Sequence, residues 1–321
     1  MMSIHLAFVA CFAVVVYANQ ELWDQFKIKH GKSYSTEAEE KRRYEIFKSN
    51  LKSIEDHNAK YERGEVTWFQ APNHMSDWTF EEFENTLRTK PLTNTADGKV
   101  HILSGKQLPK SIDWRDSGIV TEVQNQGYKC GSCWSFSVAG TLEGLYAQKT
   151  GNLLQLSEQN LIDCATPDNG YNCNGCSGGI PSEALQYVVD NGIDYFSEYP
   201  YEGEQKECRQ KNKILQISSY TNTVPNDESS LQDAVATVGP VSVSLNGSLA
   251  MHYSGGIFQD EKCEKGVNHG VLAVGYGEEN GQKYWIFKNS YGTDWGIKGY
   301  MKIVMGSNMC GLASQPCYPN L

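Results

Sequence analysis

Positive charge is in short supply in this chain: 28 lysines and arginines stand against 38 aspartates and glutamates, a formal net charge of −10. The deficit is uneven, with 14 basic and 15 acidic side chains in residues 19–107 but 14 and 23 in residues 108–321. An acidic body of this kind has no electrostatic attraction for nucleic acid or anionic lipid, so neither is an expected partner. It does suit an acidic compartment, where protonation relieves self-repulsion. Long apolar runs are also missing. The one apolar block, Ile4 to Val16, ends near the small residue Ala18 and gives way at once to polar sequence. It is too short to span a bilayer and reads as a secretory signal peptide over residues 1–18, with no other stretch able to cross a membrane. A length of 321 residues leaves room for one large or two small domains with a well-buried core.

Cysteine is plentiful, with ten residues. A secretory route is oxidising, so most should pair. Cys11 leaves with the signal peptide. One further thiol stands apart, because Gln126-Gly127-Tyr128-Lys129-Cys130-Gly131-Ser132-Cys133-Trp134 places Cys133 where a helix is about to begin. Unpaired backbone N–H groups and the positive end of a helix dipole both favour thiolate there. Ser135 to Lys149 reads as that helix, with Phe136, Ala139, Leu142, Leu145 and Tyr146 as an apolar stripe and Gly151 as the stop. The even remainder, Cys130, Cys164, Cys173, Cys176, Cys208, Cys263, Cys310 and Cys317, fits four disulfides. Cys130-x-x-Cys133 and Cys173-x-x-Cys176 also have zinc spacing, and the first could pass for a redox pair. The oxidising route argues against both, and the redox motif lacks its βαβ context, so no metal is expected.

Peptide-bond hydrolysis needs a nucleophile, a proton shuttle, a group that orients the shuttle and donors for the oxyanion. Cys-Gly-Ser-Cys-Trp is a local signature of papain-like and cathepsin-like proteases, whose His and Asn follow far downstream. Here they stand in Asn268-His269-Gly270, which opens a strand-like apolar run, and in Lys288-Asn289-Ser290, which follows another. On these residues the chain resembles a papain-family cysteine protease, and in overall plan a cathepsin L-like zymogen. The resemblance implies that Cys133 attacks as thiolate, that His269 exchanges its proton and that Asn289 orients the imidazole. Gln126 and the Cys133 backbone N–H would serve the oxyanion. Two departures stand out. Tyr128-Lys129 lengthens the loop between Gln126 and Cys133 by one residue and is expected to bulge outward. Tyr291 occupies a place where most relatives carry Trp, and should give a smaller aromatic lid over the Asn–His pair, while Trp295 keeps its family position.

The same resemblance organises the rest of the chain. Residues 19–85 look helical. Glu39, Arg43, Phe47, Asn50, Ile54 and Asn58, with Ile46 beside Phe47, lie along one helical face. Their spacing matches the motif of cathepsin L-type propeptides, implying that the prosegment inhibits its own enzyme. A second propeptide element, Gly-x-Asn-x-Phe-x-Asp in the family, appears as Ala71-Pro72-Asn73-His74-Met75-Ser76-Asp77, with Ala71 and Met75 departing. After Thr86 the sequence turns polar and irregular through Thr93-Asn94-Thr95-Ala96-Asp97-Gly98, an expected linker for cleavage. The expected division is therefore signal peptide 1–18, inhibitory propeptide 19–107 and peptidase 108–321.

Gly178 and Gly179 match the family's glycine strip for extended substrate, and the Asn268 carbonyl the contact near the scissile bond. By resemblance Ile180, Pro181, Ser244, Val267 and Gln315 line the pocket for the second side chain before the cut; Gln315 would give it a polar floor, and Trp295 belongs to the same cleft. Family pairing gives Cys130–Cys176, Cys164–Cys208 and Cys263–Cys310. Cys173 and Cys317 remain over, and the family fold, which brings the C-terminal segment near the Ile180 loop, implies a fourth bridge between them, with an exchange involving Cys176 still open. Asn246-Gly247-Ser248 is a glycosylation sequon. The expected fold is α+β and two-lobed, a helical lobe and a β-barrel-like lobe with the active site between them. The expected function is a monomeric, cofactor-free endopeptidase, secreted or lysosomal, acting on proteins and peptides after acid activation. A catalytically impaired homologue acting as a binding protein is the alternative.

Overall fold

The computed structural model describes residues 19–92 and 99–321. The expected signal peptide, and most of the polar run after Leu92, lie outside the described residues. Chain order begins with α1 (19–30), α2 (Glu37–Glu62), β1 (Trp68–Gln70), α3 (Phe80–Glu84), β2 (Lys99–Val100) and β3 (Ile112–Asp113). It continues with α4 (Cys133–Thr150), α5 (Glu158–Cys164), α6 (Pro181–Asn191), β4 (Ser219–Asn222) and α7 (Glu228–Thr237). The last strands are β5 (Val241–Leu245), β6 (Tyr253–Phe258), β7 (His269–Glu279), β8 (Gln282–Lys288), β9 (Tyr300–Val304) and β10 (Cys317–Asn320). No helix among the described residues is long and apolar enough to cross a membrane.

Two cores confirm the two lobes. One gathers the strands around Trp285, Phe287, Tyr253 and Val243; the other packs α4, α5 and α6 around Trp134, Leu142, Leu161 and Val188. The sheet, however, is open rather than barrel-like. Its order among the described residues is β1-β6-β9-β8-β7-β5-β10-β4-β2, with β3 added on β7. Both terminal strands come from the prosegment: β1 lies antiparallel to β6, and β2 parallel to β4. An open sheet leaves two edges of unpaired backbone groups, and here the prosegment covers both.

Helix α4 starts at Cys133 and ends at Gly151, whose φ of 74° is the left-handed cap foreseen from its position. It carries no apolar stripe. Thirteen of its 18 residues are buried, because it runs between the sheet and the other helices, and Phe136 and Tyr146 are among the few half-covered ones. The family disulfides Cys130–Cys176, Cys164–Cys208 and Cys263–Cys310 are formed. The fourth bridge is not: Cys173 and Cys317 are separate buried thiols. Cys173 turns to the Ile180 carbonyl at 3.5 Å, and Cys317 to the Ser242 hydroxyl. Burial pushes both thiols up to about 12, so they stay protonated and inert.

The prosegment motif acquires a physical meaning. Phe47 and Ile54 are buried, whereas the polar motif residues grip the segment that follows α2. Arg43 pairs with Glu39 (2.6 Å) and bidentately with Glu82 (2.6 and 2.8 Å), and donates to the Asp77 carbonyl. Asn50 donates to the Ser76 and Trp78 carbonyls, and Asn58 exchanges two hydrogen bonds with the Gln70 backbone.

Candidate active site

The start of α4, the first residue of β7 and the residue after β8 meet between the lobes. Cys133, His269 and Asn289 come from these three places, and all three are buried. Asn289 Oδ1 lies 2.8 Å from His269 Nε2, and an amide oxygen can only accept, so Nε2 carries hydrogen and Nδ1 is left to serve the thiol. Burial alone would push the Cys133 thiol up. The charge and hydrogen bond of His269, aided by the Thr89 hydroxyl and the Gly270 backbone, outweigh it and bring the thiol down to about 6. Gln126 is fixed by the Ser290 hydroxyl on its Oε1 (2.6 Å) and by its own N–H on the Ser290 carbonyl (2.9 Å). Its Nε2 is thereby free to face the cleft. The extra loop residue does bulge outward: Gly127 takes a φ of 69°, and Tyr128 is exposed, its ring edge-on to Trp78 at 6.0 Å.

The prosegment fills this cleft. Gln126 Nε2 donates to the Thr86 carbonyl at 3.0 Å, and the Thr89 hydroxyl lies 3.3 Å from Cys133 Sγ. The Thr89 N–H donates to the Asn268 carbonyl (2.8 Å), while Gly179 N–H meets the Arg88 carbonyl (3.2 Å) and Lys90 N–H the Gly179 carbonyl (2.9 Å). A Cβ on Gly178 would collide with the Arg88 carbonyl, and one on Gly179 with the Trp134 ring, so this strip must be glycine. Gln315 Oε1 accepts from Leu92 N–H (2.8 Å); its Nε2 donates to the Lys90 carbonyl (3.0 Å) and to Ser244 Oγ (3.1 Å). Residues 86–92 are thus a threaded inhibitor rather than the start of a linker. Ile180 and Pro181 begin α6 beside the strip, and Val267 precedes the Asn268 contact. Trp295 stands further back: its indole donates to the Ala250 carbonyl and its ring packs edge-on against Tyr291. Asn246 is half-buried just after β5, its side-chain oxygen accepting from Ser248 N–H.

A family profile described as papain family cysteine protease matches residues 108–320. The chain belongs to the papain family of cysteine proteases. A second profile, the cathepsin propeptide inhibitor domain, matches residues 23–83. A cathepsin L-like proteinase of Phaedon cochleariae is 41% identical over 100% of both chains, and digestive cysteine proteinase 3 of Homarus americanus is 41% identical over 93% of this chain and 94% of its own. Among solved structures, a digestive procathepsin L 3 of Tenebrio molitor larval midgut matches with a TM-score of 0.88 at 45% identity, covering 94% of this chain and 99% of that one. This papain-family protease is accordingly a cathepsin L-like zymogen, a peptide hydrolase held by its own propeptide.

Several working residues give no sequence signal of their own. Thr86 and Thr89 act largely through position in the cleft, and Ser290 through its hold on Gln126. Behind Asn289, Lys288 donates to Thr121 Oγ1 (2.8 Å), which in turn donates to Glu143 (2.5 Å). Burial lowers the Lys288 ammonium, with Glu143 and Glu158 opposing; burial and the Glu143 charge push Glu158 up to about 8. This network anchors β8 immediately before Asn289, and its members are far apart in sequence.

Proposed function

We propose that Cys133, His269, Asn289 and Gln126 carry the hydrolysis in the roles their geometry allows. The Cys133 thiolate attacks the scissile carbonyl carbon, and Gln126 Nε2 with the Cys133 N–H receives the oxyanion. His269 Nδ1–H then protonates the leaving amine, and water drawn to the freed Nδ1 hydrolyses the thioester. The observation that carries this reading is the Thr86 carbonyl on Gln126 Nε2, a peptide oxygen already seated where the oxyanion would form.

The substrate is an extended protein or peptide chain paired to Gly178, Gly179 and the Asn268 carbonyl. Its second side chain before the cut enters between Ile180, Pro181, Ser244, Val267 and Gln315. On that assignment the prosegment runs against the productive direction, since it puts its C-terminal residues Lys90 to Leu92 where a substrate puts those before the bond. Its peptide groups then cross the thiol in reverse. The enzyme acts as a monomer with the division 1–18, 19–107 and 108–321, in a lysosome, gut lumen or extracellular fluid, and Asn246 is its glycosylation site. The likeness to digestive proteinases supports a secretory route. A fluorogenic dipeptide assay on acid-converted protein, run beside Cys133→Ala, tests the mechanism. Turnover by the alanine variant would refute it.

A further inference from the structure

The prosegment is held to the peptidase at a second place, away from the cleft. Among the described residues its cleft contacts end at Leu92, on Gln315, and from Lys99 it lies on the outer edge of β4. Strand β2 is third out from β5 in the sheet, and none of the body residues that hold it belongs to the cleft. Lys99 and Val100 pair with Thr221 and Asn222, and the His101 N–H donates to the Asn222 carbonyl at 2.8 Å. The His101 side chain is buried between two body groups. Its Nε2 lies 2.9 Å from Asp233 Oδ1, and its Nδ1 lies 2.8 Å from the Tyr318 hydroxyl. Ser104 gives the same carboxylate its N–H (3.1 Å) and its hydroxyl (2.7 Å). Asp233 is 4% exposed, and the one body donor on it among the described residues, Thr237 Oγ1, stands at 3.5 Å. Removing residues 101–104 would strip this carboxylate of its close donors and reopen the β4 edge.

We infer that residues 99–104 belong with the peptidase and not with the inhibitor: the first cut of acid conversion falls before Lys99, and the freed enzyme keeps 99–107 as its N-terminal strand, position 108 being reached only by later trimming. The cut is ordinary hydrolysis, one water consumed for one peptide bond. A protease takes its substrate as an extended chain with free backbone groups, and here those of His101 and Ser104 are engaged. Val100, Ile102 and Leu103 are exposed, so the hold is polar and centres on Asp233. Acid does not loosen it. Burial would raise Asp233, but the Ser104 bonds, followed by that of His101, keep its carboxyl below the usual 3.8. A lowered value means that its contribution is complete above about pH 3.8 and is lost only as pH falls through the lower one. His101, Tyr318 and Tyr276 are the titratable groups that face it. An ionised carboxylate only accepts, so His101 Nε2 carries hydrogen, and the Tyr318 hydroxyl can donate to a neutral Nδ1 or accept from a charged one. The anchor thus survives protonation of its own histidine.

The test follows conversion of the full precursor over time at acid pH, quenched with iodoacetamide, by intact mass and N-terminal sequence of the peptidase product. Asp233→Asn removes the charge and one acceptor. His101→Ala removes both side-chain bonds from the strand and leaves the body untouched. In the parent the first product should begin at or before Lys99. Its His101 and Ser104 amides should exchange hydrogen about tenfold more slowly than in either variant. Both variants should also lose residues 99–104 at least about fivefold faster than the parent. A first parent product that begins after Lys99 would overturn the proposal. So would a retained segment whose amide exchange and trimming are the same in the parent and both variants, because Asp233 would then hold nothing.

Discussion

Acid should open this precursor through histidines at the contact between prosegment and body, and His74 allows the size of the effect to be worked out. His30 Nδ1 lies 3.5 Å from Asp294 Oδ2 of the body, and the His74 ring is 6.4 Å from the His30 ring and edge-on to Trp78. Burial, followed by the charges of Lys32 and His30, lowers His74 from 6.5 to about 4. Burial also lowers His30, with Lys29 and Lys32 adding to it and Asp294 opposing. A docked value below the free value means that the docked state binds fewer protons. Its stability is therefore complete above about pH 6.5 and drains away as pH falls toward about 4. For His74 the full traverse sets an upper bound of about 3 kcal/mol, because Lys32 and His30 belong to the prosegment and keep their share of the shift after undocking. At most about 2.5 kcal/mol is gone by pH 4.5, a weakening of docking of up to about 70-fold. The assay uses the Cys133→Ala precursor, which cannot cut itself, and follows the buried tryptophans Trp23 and Trp68 of the prosegment by fluorescence as pH falls. With His74→Asn added, the opening midpoint should move down by about one pH unit, since one of a few linked protons is removed. An unchanged midpoint would show that the histidine stays neutral throughout or that docking never feels it.

Other outcomes follow from the same contacts. Cys133→Ala should cost at least about 10³-fold in turnover while leaving secretion and folding intact, measured with a fluorogenic dipeptide. Gln126→Ala should lower kcat by roughly 10²- to 10³-fold with little change in KM, and a change confined to KM would remove Gln126 from the oxyanion site. Gln315→Ala removes two hydrogen bonds to the prosegment backbone and one to Ser244, so activation should begin at higher pH; the preference for Leu or Phe over Arg or Gln before the cut should also rise about five- to thirty-fold. Alkylation of the unfolded, unreduced peptidase should label three cysteines, Cys133, Cys173 and Cys317, whereas a count of one would restore the fourth bridge. N-terminal sequencing of acid-treated precursor should place the new terminus between about Thr93 and Leu108.

The residues proposed to carry catalysis are legible because each sits inside a local pattern with its own physical reason. Cys133 precedes a helix, His269 opens an apolar strand and Asn289 follows one, so long separations in sequence did not hide them. What escaped notice acts at a distance or through backbone. Residues 86–92 read as a polar connection because threonines and an extended course are also what a loop would have; only the cleft shows that Thr86 and Thr89 are buried beneath it. A fourth disulfide is expected from an even count and from a C-terminal segment near the Ile180 loop, but neither says where a thiol points, and Cys173 and Cys317 turn to different hydrogen-bond partners. The stripe assigned to α4 likewise failed, since a helix enclosed by sheet and helices needs small residues all round, such as Gly140 against Leu272 and Gly144 against Pro240. Closure of the sheet could not be read from strand patterns, because both edges are finished by prosegment strands of two and three residues.

The two departures in the second prosegment element show what the cleft actually demands of its inhibitor. Ala71 replaces a glycine, yet it is not among the residues with positive φ, and its N–H donates to the His252 carbonyl at 3.1 Å. Glycine's freedom is not used there, so alanine costs nothing in backbone strain. Met75 replaces an aromatic residue and is 1% exposed, filling the apolar gap with a flexible chain. The matched positions do the directional work instead: Asn73 donates to the Met251 carbonyl of the body, and Asp77 takes Lys32 (2.7 Å) and the Tyr34 hydroxyl (2.9 Å). Those carboxylate contacts, like Arg43 with Glu39 and Glu82, lie wholly within the prosegment. Their protonation would loosen the inhibitor's own shape, whereas charging His30 and His74 acts at its seat on the body. Acid therefore reaches this zymogen by two routes, and the histidines respond first because their ordinary range lies above that of any carboxylate.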